Sequence, residues 1–293
     1  KAVDWLFPEW NMWTQFVYQD TGAGLNLDGL KNSHPIEARV QNPSEIRELF
    51  DAISYSKGAS IIRMLEHFLG AEVFRNGLHS YLSTHMYDNA RTEDLWLALE
   101  NTSGQPVTDL MNSWVKQTGF PVIQVESTYK DSNIELELTQ QRFLYEHLLG
   151  DDGDKTLWQV PVGISQPDSD SRPSVLMSER SVVVNLNSTK TSDRNDWVKV
   201  NAEQTGFYRV NYSEAGWNNL RIAIETQKLQ PTDRLGLQSD AYALAKAGFI
   251  PATLFLSLAL SYKDEMDATV WSDLSASLRG LENLIANEAY LPE

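Results

Sequence analysis

The stretch FDAISYSKGAS, residues 50–60, sets one phenol among small side chains. Tyr55 is flanked by Ala52, Ser54, Ser56, Gly58 and Ala59. Small neighbours let backbone or ligand come close to a hydroxyl. Lys57, two residues on, adds a positive charge that would favour an anion nearby. The pattern leaves a second role open, because a tyrosine near a helix start often belongs to the core, with its hydroxyl satisfied.

The other chemically capable residues do not form a recognisable set. The five histidines are His34, His67, His79, His85 and His147. None lies in His-Glu-x-x-His, no two are four apart, and His79 and His85, six apart, fall on different faces of a helix. No complete zinc site can be read from this chain. Cysteine is absent, which excludes disulfides, zinc–thiolate sites and a cysteine nucleophile, and which suits a reducing compartment. The phosphate-binding patterns GxxxxGK[ST] and GxGxxG and the nucleophile elbow Gly-x-Ser-x-Gly are also absent. The pair Asp151-Asp152 stands in a Gly-rich acidic turn and reads as a solvated loop rather than an acid–base dyad.

Composition narrows the partners. Forty acids against 24 bases leave a net charge of −16, which argues against nucleic acid or an anionic membrane surface. No apolar run reaches the ~18 residues that a membrane-spanning helix needs; the longest candidate, 249–260, is broken by Pro251.

The elements that must carry these residues change character twice. Up to residue 119 the apolar positions recur at helical spacing: a helix from Pro8 to Tyr18, a Pro-led one from Pro43, and others over 60–69, 71–85, 95–99 and 110–115. From Phe120 the period becomes two, in PVIQVES, NIELELTQ, LWQVPVGI, SVVVNLN and WVKVNAE, as in a β-sandwich. After Tyr212 helices return, over 217–226, 232–247 and 251–262. At 293 residues the chain is long for one core. Three domains are expected: 1–119 helical, 120–212 β-sandwich and 213–293 helical. The chain starts at Lys1 and stops inside a helical pattern, so both ends look cut from a longer polypeptide. Residues 263–293 are expected to fray for want of a neighbouring repeat.

An ordered series of blocks carries a family resemblance. SHPIE at 33–37, FDAISYSKGASIIRML at 50–65, NARTEDLWLALENTSG, MNSWVKQTGFPVIQV at 111–125, LTQQRF at 138–143, LWQVPV, GFYRVNY at 206–212 and DRLGLQSDAYALAKAG at 233–248 follow one another. Together they resemble the zinc metallo-aminopeptidases (gluzincins) of the puromycin-sensitive and aminopeptidase N type, most closely the puromycin-sensitive, cytosolic branch. The resemblance implies a multidomain α+β chain: the helical second half of a thermolysin-like catalytic domain, a β-sandwich, and the start of a HEAT- or armadillo-like helical domain. It implies hydrolysis of N-terminal residues from peptides and a cytoplasmic location. Zinc is implied for the parent enzyme, whose His-Glu-x-x-His helix, distal Glu and amine-holding Gly-Ala-Met-Glu-Asn segment would precede this region. None of these motifs is in this chain, so it should not hold zinc tightly and should depend on the missing N-terminal part of the same enzyme.

One catalytic residue carries over from the family, Tyr55, as hydrogen-bond donor to the oxyanion of the tetrahedral intermediate. A phenol with a pKa of ~10 keeps the proton that this role requires. Phe50, five residues earlier, would line the same cleft, with core packing as its other role. His34 and Arg142 fall in matching blocks without an assigned step, and Arg209 in GFYRVNY is expected to form an ion pair at a domain junction. The contrasting reading is a non-catalytic module that binds peptides or proteins.

Overall fold

A computed structural model describes residues 1–130, 133–149, 154–167, 173–187 and 197–286. It is mixed α/β, with helices before and after two small sheets. The helices α1 (Ala2–Leu6), α2 (Met12–Phe16) and α3 (Gly22–Asp28) come first. The single helix expected from Pro8 to Tyr18 is not formed. Pro8 opens a separate 3-10 turn, Asn11 takes a left-handed φ of 48°, and the chain starts again at Met12. It then runs past Tyr18 through a π-helical turn, Val17–Thr21, into α3. The Pro-led segment Pro43–Leu49 is a 3-10 helix, since a first-turn proline suits either helix type. A second π-turn, Ile53–Lys57, feeds α4 (Gly58–Leu69), which buries Ile61, Met64 and Leu65 at spacings of three and four. Next come α5 (Ala71–Thr84), α6 (Thr92–Ser103) and α7 (Val107–Val115).

The strands begin at Pro121. β1 (Pro121–Lys130), β2 (Asn133–Arg142), β3 (Val160–Ser165), β4 (Ser174–Met177), β5 (Ser181–Asn187), β6 (Lys199–Val200) and β7 (Arg209–Tyr212) form two sheets, ordered β5-β2-β1-β7 and β4-β3-β6. Alternation along β2 buries Ile134, Leu136 and Leu138, as a strand with one covered face requires. β1 pairs antiparallel with β2 and parallel with β7. Tyr212 on β7 ties the sheets together: its hydroxyl accepts the Val200 N–H of β6 at 3.0 Å and donates to the Val200 carbonyl at 3.2 Å. Asp151 and Asp152 lie outside the described residues.

The last helices are α8 (Glu214–Glu225), α9 (Pro231–Ala247), α10 (Ala252–Ala259) and α11 (Ala268–Ile285). α9 is enclosed on most sides, which is why Asp233, Arg234, Gln238 and Asp240 are buried and its sequence shows little polarity of faces. Each of these residues makes a polar contact, although the Gln238 Oε1 has no partner among the described residues. Arg234 forks onto Glu265 at 2.5 and 2.6 Å, for example. The fraying expected for 263–293 is not what is found over 268–285. α11 is capped by Asp267 and buries Val270 and Leu274 against α9, so a helix within the chain already covers one of its faces. Arg209 forms an ion pair, 3.1 Å from Asp240, between β7 and α9. No helix of the described residues is long and apolar enough to cross a membrane.

Candidate active-site face

Asp51 organises the turn that carries Tyr55. Its Oδ1 accepts the N–H groups of Ile53 and Ser54 at 2.9 and 3.1 Å, satisfying two donors at a helical N-terminus that have no partner within the helix. Its Oδ2 lies 2.9 Å from His34 Nε2, and His34 Nδ1 lies 2.9 Å from the Pro35 carbonyl. Partial burial pushes the imidazole down, but the Pro35 carbonyl and Asp51 outweigh it, and the His34 pKa is raised. Burial likewise pushes Asp51 up, and the Ser54 N–H, His34 and the Ile53 N–H bring it below the usual carboxylate range. Each partner thus favours the charged form of the other, and the Asp51 carboxylate in turn holds the turn.

The π-turn then sorts its side chains. The Lys57 N–H reaches back five residues to the Ala52 carbonyl at 2.8 Å, a widened turn of the kind often found at functional sites. Ile53 and Lys57 point inward and are fully buried, while Tyr55 is 61% exposed and Phe50 is 67% exposed. The two aromatic rings lie side by side, 6.1 Å between centroids. Neither belongs to the core of the described residues. The Tyr55 hydroxyl has no partner among the described residues. Ala52, Ser54, Ser56 and Gly58 are half-buried and Ala59 is exposed, and a methyl added at Gly58 would meet nothing.

Lys57 does not do what its place in the motif suggested. Its ammonium is fully buried, donating to Asp28 Oδ2 at 2.7 Å and to the Gly119 carbonyl at 3.1 Å. It cannot draw an anion toward Tyr55. Instead it locks the turn to α3, whose Asp28 also accepts from Ser33 and from the Gly119 N–H. Gly24 lets α3 pass this close: a Cβ there would lie 2.9 Å from the Phe207 ring and 3.1 Å from the Lys57 backbone nitrogen. Sequence reading noted His34 without a task and missed Asp51 and Asp28. The available signal for Asp51 was an acid two and three residues before N–H groups that begin a helix.

These residues do not fit a zinc site. Among the described residues no group of three His, Asp or Glu side chains is placed to hold a metal, His34 is engaged by Asp51, and Asp28 by Lys57. Arg142, the other residue noted without a step, pairs with Asp154 at 3.3 Å.

Comparisons with known proteins give the chain its relatives. Residues 1–114 match the model of the peptidase family M1 domain, and residues 197–292 match that of the ERAP1-like C-terminal domain. Aminopeptidase M1 of Arabidopsis thaliana is 45% identical over 285 residues, which is 94% of this chain and 31% of that protein. Puromycin-sensitive aminopeptidase of Caenorhabditis elegans is 36% identical over 281 residues, 95% of this chain and 29% of that protein. Aminopeptidase 2, mitochondrial, of Saccharomyces cerevisiae is 38% identical over 277 residues, 94% of this chain and 28% of that protein. The chain thus spans about a third of the length of the curated relatives it matches.

Proposed function

From a chain related along nearly all its length to the aminopeptidases of family M1, we propose a part of a zinc-dependent aminopeptidase in which Tyr55 donates a hydrogen bond to the oxyanion formed when a peptide bond is attacked. The observation that carries this reading is an idle, exposed phenol on a turn braced from three sides. Asp51 holds the turn's N-terminus, Lys57 anchors its end to Asp28, and the Ser56 hydroxyl donates to Asp20 at 3.3 Å. A donor fixed in advance and aimed at developing charge stabilises a transition state because nothing has to reorganise when the charge appears. The small residues around it leave room for substrate backbone. Phe50, beside it, offers an apolar ring to the substrate's side chain.

Zinc belongs to the proposal as a cofactor of the parent, where it would supply Lewis acidity through ligands not found among the described residues. The arrangement of the chain as catalytic-domain helices (1–119), β-sandwich (120–212) and the start of a helical domain (213–293) belongs to it too. So do peptide substrates, the remaining part of the enzyme as partner and a cytoplasmic location.

Two experiments test it. In the zinc-loaded parent, Tyr55→Phe is expected to lower kcat by ~100- to 1,000-fold with little change in KM or melting temperature, because the lost hydroxyl touches nothing in the fold. Near-normal turnover would overturn the role. The chain by itself is expected neither to retain stoichiometric zinc after dialysis nor to cleave an aminoacyl fluorogenic amide. Metal retention with turnover would show that the catalytic set is held here.

A further inference from the structure

Lys57 closes the π-turn two residues after Tyr55, and its side chain leaves that turn for the interior. The ammonium has three protons to donate and meets three acceptors. These are Asp28 Oδ2 at 2.7 Å, the Gly119 carbonyl at 3.1 Å and the Gln117 carbonyl at 3.5 Å. Asp28 comes from α3, while Gln117 and Gly119 lie between α7 and β1. Two of the three partners are also bonded to each other, since the Gly119 N–H donates to Asp28 Oδ1 at 3.0 Å. Lys57, Asp28 and Gly119 thus close a ring of hydrogen bonds, and the Ser33 hydroxyl donates to the same carboxylate at 2.7 Å. Both ionic side chains are wholly buried.

Gly119 fixes the far side of this ring. Its φ of +88° is one that other residues rarely adopt, and a Cβ there would lie 2.8 Å from Arg142 Nε. The next residue, Phe120, is fully buried, stacked on Phe143 at 5.2 Å between centroids and edge-on to Phe207 at 5.5 Å. The Phe207 ring in turn lies 5.8 Å from the Lys57 ammonium. The point where helices give way to sheets is therefore packed directly against this lysine. A buried ion pair is a poor means of stabilising a fold, because two charges lose about as much in leaving water as they gain from each other. Short charge-assisted bonds do fix distances.

We propose that Lys57 is a positioning residue for Tyr55: its ammonium, held by Asp28 and the Gly119 carbonyl, sets the π-turn against the junction of helices and sheets, and so sets where the phenol stands. The backbone carries the effect, because the Lys57 N–H spans Tyr55 to reach the Ala52 carbonyl at 2.8 Å. Released at Lys57, the wide turn is free to tighten into α-helical register. A shift of one residue turns a side chain by about 100° and moves it by about 1.5 Å along the axis. A misplacement of about 1 Å is enough to cost ~100-fold in rate.

This role rests on Tyr55 acting as the oxyanion donor, and the experiment separates the two. Lys57→Met alone would strand a buried carboxylate, so Lys57→Met and Asp28→Asn are combined in the zinc-loaded parent; the amide keeps an oxygen for Gly119 and Ser33. With both charges gone, the melting temperature is expected to stay near that of the wild type. In contrast, kcat should fall by about 10- to 100-fold with little change in KM. In a Tyr55→Phe background the same two substitutions should cost nothing further, because the group they misplace is gone. Wild-type kcat in the paired variant, or equal losses in the two backgrounds, would overturn the proposal and leave the catalytic reading of Tyr55 intact. Near-normal turnover of Tyr55→Phe alone would instead overturn that reading. The position itself is read in this chain, without turnover, from the nuclear Overhauser contact between the Phe50 and Tyr55 rings, whose centroids stand 6.1 Å apart. The paired variant should lose that contact, and its retention would overturn the positioning role whatever Tyr55 does in catalysis. Should the paired variant fail to fold, Asp28→Asn alone is expected to move kcat and the ring contact in the same directions by less, and no change in either would overturn the role.

Discussion

The side chains of His34 and Asp51 act on Tyr55 indirectly, through the two N–H groups that the Asp51 carboxylate accepts, while the Asp51 carbonyl accepts the Tyr55 N–H itself at 3.2 Å. The sign of their pH dependence follows from opposite shifts. The raised pKa of His34 means that its stabilisation is complete below its unfolded value of ~6.5 and is lost as pH rises through the folded value. The lowered pKa of Asp51 means that its stabilisation is present above its unfolded value of ~3.9 and is lost as pH falls through the folded value. The turn should therefore be best braced between pH ~4 and ~6.5. Amide hydrogen exchange at Ile53 and Ser54, expressed as protection factors, is expected to peak in that window. In His34→Gln the alkaline decline should vanish. Protection that follows pH identically in the variant would detach His34 from the turn.

The crossing of α3 with the π-turn belongs to the element scale, where Gly24 decides how near the two can come. Gly24→Ala would improve helix propensity by up to ~1 kcal/mol. It would also drive a methyl against the Phe207 ring and the Lys57 backbone. Overpacking of this kind costs ~1–3 kcal/mol, so the variant should be less stable in urea, and Tyr55 should gain mobility with it. A neutral or stabilising result would show that the helices separate freely.

This crossing also marks how much the sequence could tell. The change of period at Phe120 and the return of helices after Tyr212 are written in apolar spacing, which marks β1, β2, β3, β5 and β6 but not the four-residue strands β4 and β7. FDAISYSKGAS stood out by its small residues. Its π-turn did not, because one extra residue per turn leaves almost no trace over five positions. Nor could spacing tell that Lys57 turns inward. Its partner Asp28 is 29 residues away and becomes a partner only once α3 has docked. The breaks after Pro8 and at Asn11 were missed for a related reason: aromatic spacing persists across them while the backbone does not.

Across the whole molecule, helices from both ends of the chain meet the sheets at one loop, residues 201–205. Asn201, Glu203 and Gln204 all have positive φ, at 62°, 58° and 50°, a strained run that only firm surroundings can hold. Arg63 of α4 donates to the Gln204 and Glu203 carbonyls at 2.5 and 3.0 Å while lying 4.9 Å from the Trp13 ring centroid. From the other side, Asp233 of α9 accepts the Glu203 N–H at 2.8 Å and faces the buried Lys199 at 3.6 Å. The loop is thus fixed by groups from all three stretches of the chain, and the buried apolar core is continuous across them. Asp233→Ala would leave the Lys199 ammonium buried without its carboxylate at 3.6 Å, with the Val200 and Asn201 carbonyls as its acceptors, and would remove the carboxylate that accepts the Glu203 N–H. Breaking a buried pair from one side typically costs ~3–5 kcal/mol. Because the loop couples the stretches, that loss should lower a single transition rather than split it. Far-UV circular dichroism and tryptophan fluorescence are expected to report the same, earlier midpoint in the variant. Two separated midpoints would mean that the helical and β parts hold themselves up independently, and that the strained loop is only a tether between them.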